Sequence, residues 1–271
     1  MDRQNIQRIA TTVIGIPLVG LILAFGNKYI IDIAVSIIAI MSMHEYFKAF
    51  RKTHKPVEWI GYVAAILIAF THVIKEEMIL KSIAVVVPAA VTLLFLEIIR
   101  TDMKTTIIDV AITMFGIGYI VFFLWFIPII RQMNFGNLYI WIVFITAWGT
   151  DIFAFIIGRT IGKHKFSQIS PKKTIEGCLG GVIGAVICML VYAVICNKFF
   201  NVSWSYSKIT IIAIILSIIG QIGDFSASCI KRYTGVKDFS NLIPGHGGML
   251  DRIDSVIFIA PFAYLLLSYV I

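Results

Sequence analysis

Nine long apolar runs constrain the fold of this chain more than any other feature of its sequence. They lie near 9–25, 29–47, 59–74, 79–99, 107–130, 138–157, 177–196, 209–223 and 255–271. A helix needs about 20 mostly apolar residues to cross a bilayer, and most of these runs approach that length. Because the runs are continuously apolar and do not alternate, they favour helices over a barrel of strands. The sequence predicts an all-α, polytopic membrane protein with about nine transmembrane helices.

The basic residues predict how these helices are oriented. The net charge is +8, but Lys and Arg occur in short loops between the runs, which is typical of membrane topology and not of nucleic-acid binding. With the N-terminus in the cytoplasm, 17 of the 23 basic residues fall on the cytoplasmic side and 6 on the other. We therefore expect a multi-pass protein of the cell (inner, cytoplasmic) membrane with its N-terminus inside.

The two longest cytoplasmic loops, 158–176 and 224–254, both fall in the second half of the chain. We therefore predict one integral membrane domain with two parts. The helices of 1–133 would form a packing scaffold, and 134–271 would form the catalytic half. The chain shows no internal repeat, so a transporter built from inverted repeats gains no support.

Aspartates at the edges of the second loop suggest a metal site. Asp224 directly follows the eighth run and Asp251 opens the ninth. If the loop brings these carboxylates together at the membrane surface, a divalent cation offsets their repulsion. Mg²⁺ accepts one or two carboxylates and completes its shell with water and phosphate oxygens, and no Cys/His cluster points to zinc. Asp254, on the same helix face as Asp251, is interpreted as a cap.

The same loop carries groups suited to phosphate. Its glycines permit a tight turn at a helix N-terminus, where free amides and the helix dipole favour an anion. The basic side chains of this region are Lys231, Arg232 and Arg252, and the glycines are Gly245, Gly247 and Gly248. His246, between glycines, is expected to contact phosphate or to orient a neighbour. The alternative is a solvated interfacial loop whose aspartates cap the last helix.

The first loop supplies a complement to this region. Asp151 lies within an apolar run, where a carboxylate costs roughly 2.5–3.5 kcal/mol, so it is a functional candidate. A basic, hydroxyl-bearing strip follows, consisting of Lys163, Lys165, Ser170, Lys172, Lys173 and Thr174. A polyphosphate is its natural partner. Asp151 as a partnered structural acid and the lysines as topology-setting charges remain alternatives. Glu176 is close enough in sequence to pair with a lysine.

Other acids near the ends of the runs are expected to cap helices or to face the interface. They are Asp32, Glu45, Glu97 and Asp109, and His44 is interpreted in the same way. Asp109 and Asp151 leave open an ion-coupled transporter. Against it, the polar residues concentrate on one membrane face and not at midplane repeats.

Two segments resemble a known family. The first runs from Ser228-Cys-Ile-Lys-Arg through Lys237-Asp238 and Ser240 to Ile243-Pro-Gly-His-Gly-Gly-Met-Leu-Asp-Arg-Ile-Asp254. It resembles the motif of phosphatidate cytidylyltransferases, also called CDP-diacylglycerol synthases. Asp151, Gly158 and the run GKHK…SPKKTIEG resemble the family's second shared block, with Phe155 where Tyr is common. Both blocks lie within 148–255.

This resemblance implies an activity and a set of roles. The reaction is CTP plus phosphatidate giving CDP-diacylglycerol and pyrophosphate in phospholipid biosynthesis, with Mg²⁺ and a second cation for which K⁺ is the candidate. Asp224 and Asp251 match the metal-binding acids. Lys231, Arg232, His246 and Arg252 are expected to be catalytic, and Ser228, Lys237, Gly247 and Gly248 to contact substrate. Another lipid phosphate as acceptor and a homodimer both stay open.

Overall fold

The computed structural model describes residues 15, 17–74, 78–242 and 247–270, and helices account for most of them. Helix α1 covers 17–25. The helices that follow are α2 Lys28–Phe50, α3 Glu58–Leu67, α4 Ile79–Arg100, α5 Ile107–Gly116, α6 Phe123–Gln132, α7 Gly136–Thr160, α8 Ile175–Phe199, α9 Tyr206–Tyr233 and α10 Leu250–Val270. A 3₁₀ turn, Ile68–Val73, continues α3, and a π-helical turn, Ile117–Phe122, joins α5 to α6. The all-α prediction is confirmed.

Five helical segments among the described residues are long and apolar enough to cross a membrane. They are Lys28–Phe50, Ile107–Gln132, Gly136–Thr160, Ile175–Phe199 and Tyr206–Tyr233, and Glu58–Val73 is a shorter apolar helix. The chain is therefore a multi-pass membrane protein. The predicted runs near 79–99 and 255–271 also fall on helices, whereas the run 9–25 lies partly outside the described residues. The number nine stays a prediction.

The chain divides into two compact units. The first comprises Met1–Gln132 with Thr234–Arg252, and the second comprises Met133–Tyr233 with Ile253–Ile271. The segment 234–252 thus groups with the N-terminal helices, although it lies in the half predicted to be catalytic. The functional division at 133 stays a prediction.

In the first unit, α2 packs against α3 with its 3₁₀ turn and against α6. A separate apolar cluster is formed by Val57, Ile60, Leu94, Ile98 and Val110. These side chains come from α3, its leading loop, α4 and α5. Leu94 and Ile98, one turn apart on α4, thus pack with Val110 of α5 against α3 and its leading loop.

The acids near helix ends have different roles in this unit. Asp109 forms a capping box with Thr106 at the start of α5 and accepts a 2.7 Å bond from the amide of Lys55, so its predicted capping role is confirmed. Asp32 is fully buried and lies 2.7 Å from the ring of His72, so the interfacial interpretation is wrong there. Helix packing buries Asp32, and the contact with the His72 imidazole offsets the free-energy cost of removing the carboxyl group from water.

In the second unit, small residues let α7 and α8 approach closely. A Cβ added at Gly181 would lie 2.9 Å from the carbonyl oxygen of Thr150, and one at Gly184 would lie 2.1 Å from Cγ of Phe153. Small residues at helix interfaces are the usual means by which membrane helices pack their backbones. The close pairing of α7 and α8 fixes the ends of the loop between them.

Gly184→Ala is expected to destabilise the second unit, because the added methyl overlaps the Phe153 ring and overpacking costs about 1–3 kcal/mol. We expect a lower apparent Tm for the detergent-solubilised protein. Phe153→Ala in the same chain should restore much of the loss, and Ile183→Leu, at an exposed neighbouring position, is the control. An unchanged Tm for Gly184→Ala would contradict the packing.

Candidate active site

Helix α9 carries four of the predicted site residues. Asp224 was expected to begin a loop, but the helix continues to Tyr233, so that boundary is wrong. Loss of hydropathy marks where a helix leaves the apolar layer and not where its hydrogen bonding ends. The helical positions are Asp224, Ser228, Lys231 and Arg232, and Ser228 is buried one turn after Asp224. The first part of the predicted loop, 224–233, is therefore nearly three further turns of helix.

Asp224 pairs with one of the predicted substrate-binding lysines. Lys173 forms an ion pair with it, and the two side chains are 26% and 28% exposed. The Lys173 ammonium also lies 4.2 Å from the ring centroid of Phe225, which stacks on Phe166 at 4.7 Å. The last part of α9, Asp224–Arg232, carries several charges and is called its charged end. Because both the carboxylate and the ring attract a cation, they hold the ammonium where this charged end begins.

The loop that supplies Lys173 is a short antiparallel hairpin. The amide of Phe166 donates to the carbonyl of Lys173, and the amide of Ile175 donates to the carbonyl of His164, both at 2.9 Å. The Arg232 Nε atom donates to the carbonyl of Ile169 at 3.2 Å. The hairpin is therefore held to α9 near its base by the Lys173–Asp224 ion pair and the Phe166–Phe225 stack, and at its tip by the Arg232 bond.

The remaining residues of the predicted basic strip are placed differently. Thr174 is the N-cap of α8 and accepts from the amide of Gly177 at 3.1 Å. Glu176 lies 2.5 Å from the His164 ring and accepts from the amide of Lys163, so its predicted pairing with a lysine is wrong. The backbone amides of Lys163 and His164 are fixed beside the Glu176 carboxylate, whereas a lysine ammonium would have to give up side-chain freedom to reach it. Ser170 is half-buried, and Lys163, Lys165 and Lys172 are exposed.

Three carboxylates from three helices of the second unit interact. Asp254 of α10 is 8% exposed and is within electrostatic reach of Asp224 and of Asp151, an exposed residue of α7. Helices α9 and α10 are close here, since a Cβ at Gly223 would lie 2.6 Å from the carbonyl oxygen of Asp254. The interpretation of Asp254 as a cap is wrong, because it lies beyond the first turn and is buried. Lys231 offsets part of this negative charge.

No group of three or more His, Cys, Asp or Glu side chains is arranged to hold a metal among the described residues. Mg²⁺ does not need such a group, because it binds through one or two carboxylates with water and phosphate oxygens. Asp224 and Asp251 are of the ligand type that Mg²⁺ takes.

In the first unit, Asp251 in the first turn of α10 binds back to the segment that precedes the helix. Its Oδ2 atom accepts from the amides of Phe239 at 2.9 Å and Gly248 at 3.0 Å. Gly247 has φ +84°, a conformation that favours glycine. Lys237 and Arg252 are exposed, and His246 lies outside the described residues. Asp251 thus organises the glycine turn while its carboxylate stays partly accessible.

Glu45 is a site residue that the sequence-based interpretation missed. It is 1% exposed and accepts from the hydroxyl of Ser240 at 2.5 Å and the amides of Met249 at 2.9 Å and Leu250 at 2.8 Å. We expected a cap or an interfacial residue of its own helix, but it serves the N-terminus of α10 instead. The available signal was a second carboxylate, after Asp32, within a largely apolar helix.

These features define a multi-pass helical membrane protein with carboxylates and cations at the charged ends of its helices, a combination suited to phosphate chemistry. The chain matches the cytidylyltransferase family over residues 6–270 and belongs to that family.

Curated relatives agree with this assignment. The chain is 38% identical over 147 residues to the phosphatidate cytidylyltransferase of Bacillus subtilis, which covers 54% of the chain and 53% of the relative. It is 40% identical over 166 residues to that of Staphylococcus saprophyticus, 60% of the chain and 61% of the relative. These matches span little more than half of each relative. A third relative, from Synechocystis, is 29% identical over 95% of the chain and 94% of its own length.

Proposed function

We propose that this protein transfers the cytidylyl group of CTP to phosphatidate, giving CDP-diacylglycerol and pyrophosphate. The observation that carries the proposal is the charged end of membrane helix α9. This end carries Asp224 and Lys231, and Asp224 forms an ion pair with Lys173 of the hairpin. One substrate is a lipid and the other is a soluble triphosphate, so the reaction needs a site at such a boundary. The names of the relatives support the same substrates.

Asp224 and Asp251 are proposed to hold Mg²⁺. The assignment of both acids to one ion rests on the sequence motif, since they belong to different compact units. Two carboxylates suit Mg²⁺, which leaves positions for water and phosphate oxygens. Bound Mg²⁺ would supply positive charge that neutralises the triphosphate of CTP. A second cation, with K⁺ as the candidate, is part of the same proposal.

No protein nucleophile is required for this reaction. A phosphate oxygen of phosphatidate attacks the α-phosphorus of CTP, the bond from that phosphorus to the β-bridging oxygen breaks, and pyrophosphate leaves. The protein contributes positioning and charge neutralisation. Candidates for holding phosphates on the protein side are Lys163, Lys165, Lys172, Lys173, Lys231, Arg232, Lys237 and Arg252, with Asp151, Ser170, Thr174, Ser228, His246, Gly247 and Gly248 as further expected contacts.

We further propose nine spans with the N-terminus and the active site on the cytoplasmic side. The support is the excess of basic residues on that side of the predicted topology. Cysteine labelling at loop positions from each side of sealed vesicles tests this orientation. For the oligomeric state we propose a homodimer. Light scattering of the detergent-solubilised protein tests it.

The proposed activity predicts that purified protein in detergent makes CDP-lipid from labelled CTP and phosphatidate, that EDTA stops the reaction, and that excess Mg²⁺ restores it. A polyprenyl phosphate in place of phosphatidate tests the alternative acceptor, and chromatography of the lipid products separates the two outcomes. Absence of labelled lipid with either acceptor would contradict the proposal.

The transporter alternative loses one of its two acids in this structure. Asp109 is engaged in the capping box of α5 and in the bond from Lys55, which is a complete structural role. No observation in the structure favours a transporter as a second function.

A further inference from the structure

We infer that Glu45, from the N-terminal helix α2, is a positioning residue that sets the place of the metal-binding carboxylate Asp251. This inference rests on the proposed function, because it concerns how the proposed Mg²⁺ ligand is held. It gives the first half of the chain a part in the chemistry, beyond the packing role expected of residues 1–133.

The contacts of Glu45 use both of its carboxylate oxygens. Oε1 accepts from Ser240 Oγ and the Met249 amide, and Oε2 accepts from the Leu250 amide. All three partners donate, so both oxygens of the side chain act as hydrogen-bond acceptors. A negative charge at the first turn of α10 is also stabilised by the helix dipole.

These bonds fix the helix start on which Asp251 depends. Asp251 is the second residue of α10, directly after Leu250. Its carboxylate accepts from the amides of Phe239 and Gly248, each next in sequence to a residue that donates to Glu45, Ser240 and Met249 respectively. If Glu45 releases the Met249 and Leu250 amides, the first turn of α10 loses two anchors, and the direction of the Asp251 carboxylate is no longer set.

Gly248 gives independent support for this arrangement. A Cβ placed on Gly248 would lie 2.5 Å from Oε2 and 2.8 Å from Cδ of Glu45. The backbone there has no room for a side chain because the Glu45 carboxylate occupies the space. The need for glycine at 248 is thus a consequence of Glu45, whereas the need for glycine at 247 follows from its positive φ.

The two roles open to Gly248 predict different results in a double-mutant cycle. If Gly248 serves to admit Glu45, then Glu45→Ala and Gly248→Ala act through one lost contact. Each should raise the Mg²⁺ concentration for half-maximal activity about tenfold, the scale seen when outer groups that orient metal ligands are removed. The double variant should be no worse than either single one. If the bare backbone of Gly248 served a phosphate independently, the two effects would multiply.

The experiment uses the full-length protein in detergent and measures kcat, KM for CTP and the Mg²⁺ requirement of each variant. We expect the Mg²⁺ requirement to rise with KM for CTP little changed at saturating Mg²⁺. Ser240→Ala, which removes one of the three bonds, is the milder variant and should shift the requirement in the same direction by less. Glu97→Gln is the matched control, because Glu97 pairs with the exposed Arg100 in the same unit.

A readout independent of turnover is hydrogen–deuterium exchange in peptides covering 247–255. Exchange at the Met249 and Leu250 amides should quicken in Glu45→Ala while peptides of α8 stay unchanged. An inactive unaltered protein would overturn the proposed function and leave the exchange result as the test of the contact. An active unaltered protein, with unchanged Mg²⁺ requirement and exchange in Glu45→Ala, would overturn the positioning role alone. Multiplying effects in the double variant would assign Gly248 a contact of its own and would overturn the explanation of that glycine by Glu45.

Discussion

Asp251→Asn and Asp224→Asn are each expected to lower CDP-lipid formation by at least about a hundredfold. The amide preserves the size of the side chain but removes the charge that would attract Mg²⁺, and a catalytic metal supplies several kcal/mol of charge stabilisation. Since about 1.4 kcal/mol corresponds to a factor of ten in rate, a loss of this size follows. In Asp251→Asn the amide oxygen can still accept from Phe239 and Gly248, so the turn should survive.

The measurement is the initial rate over a range of Mg²⁺ concentrations, with gel filtration in detergent to show that each variant is folded. Asp102→Asn is the matched control, because Asp102 is an exposed acid outside both motif segments. It should retain nearly full activity. Near-normal turnover in Asp224→Asn or Asp251→Asn would remove that residue from the metal site.

The helical fold was largely predictable from sequence, and the positions of the helix ends were not. Long apolar runs leave no alternative to helices in lipid, because every backbone amide must be bonded within its own segment. Hydropathy, however, reports the apolar layer alone. It ended the eighth run at residue 223, although α9 continues to Tyr233 with its charged residues still in helical register.

The candidate site was predictable where one segment carries the chemistry, and less so where distant residues meet. Asp151, Asp224 and Lys173 were identified from charge in an apolar chain and from the motif. The buried state of Asp254 and the role of Glu45 depend on contacts between residues far apart in sequence, and a single sequence does not contain those contacts. Glu45 is separated from its partner Leu250 by 205 positions.

The pairing of Lys173 with Asp224 separates two lysines that the sequence treats alike. Lys172 is exposed, whereas Lys173 is partly buried between the Asp224 carboxylate and the Phe225 ring. A cation held by two partners loses little freedom when it meets a phosphate, so it contributes more to charge stabilisation than a mobile one. Its removal also takes away the ion-pair partner of Asp224.

Lys173→Ala is therefore expected to lower kcat by roughly 10- to 100-fold, a loss of about 1.4–2.7 kcal/mol in transition-state stabilisation. Lys172→Ala should change kcat little and raise KM for CTP or phosphatidate at most a few-fold. Separate saturation curves for each substrate, measured at fixed Mg²⁺, distinguish the two effects.

Phe225→Leu is the companion variant, because it removes the ring beneath Lys173 but keeps the ion pair with Asp224. Its kcat should fall by less than that of Lys173→Ala, since a cation–π contact is worth about 0.5–2 kcal/mol and the ion pair remains. If Lys172→Ala and Lys173→Ala lose activity equally and only slightly, the hairpin lysines serve topology. The ion pair with Asp224 would then be a structural contact that holds the hairpin on α9.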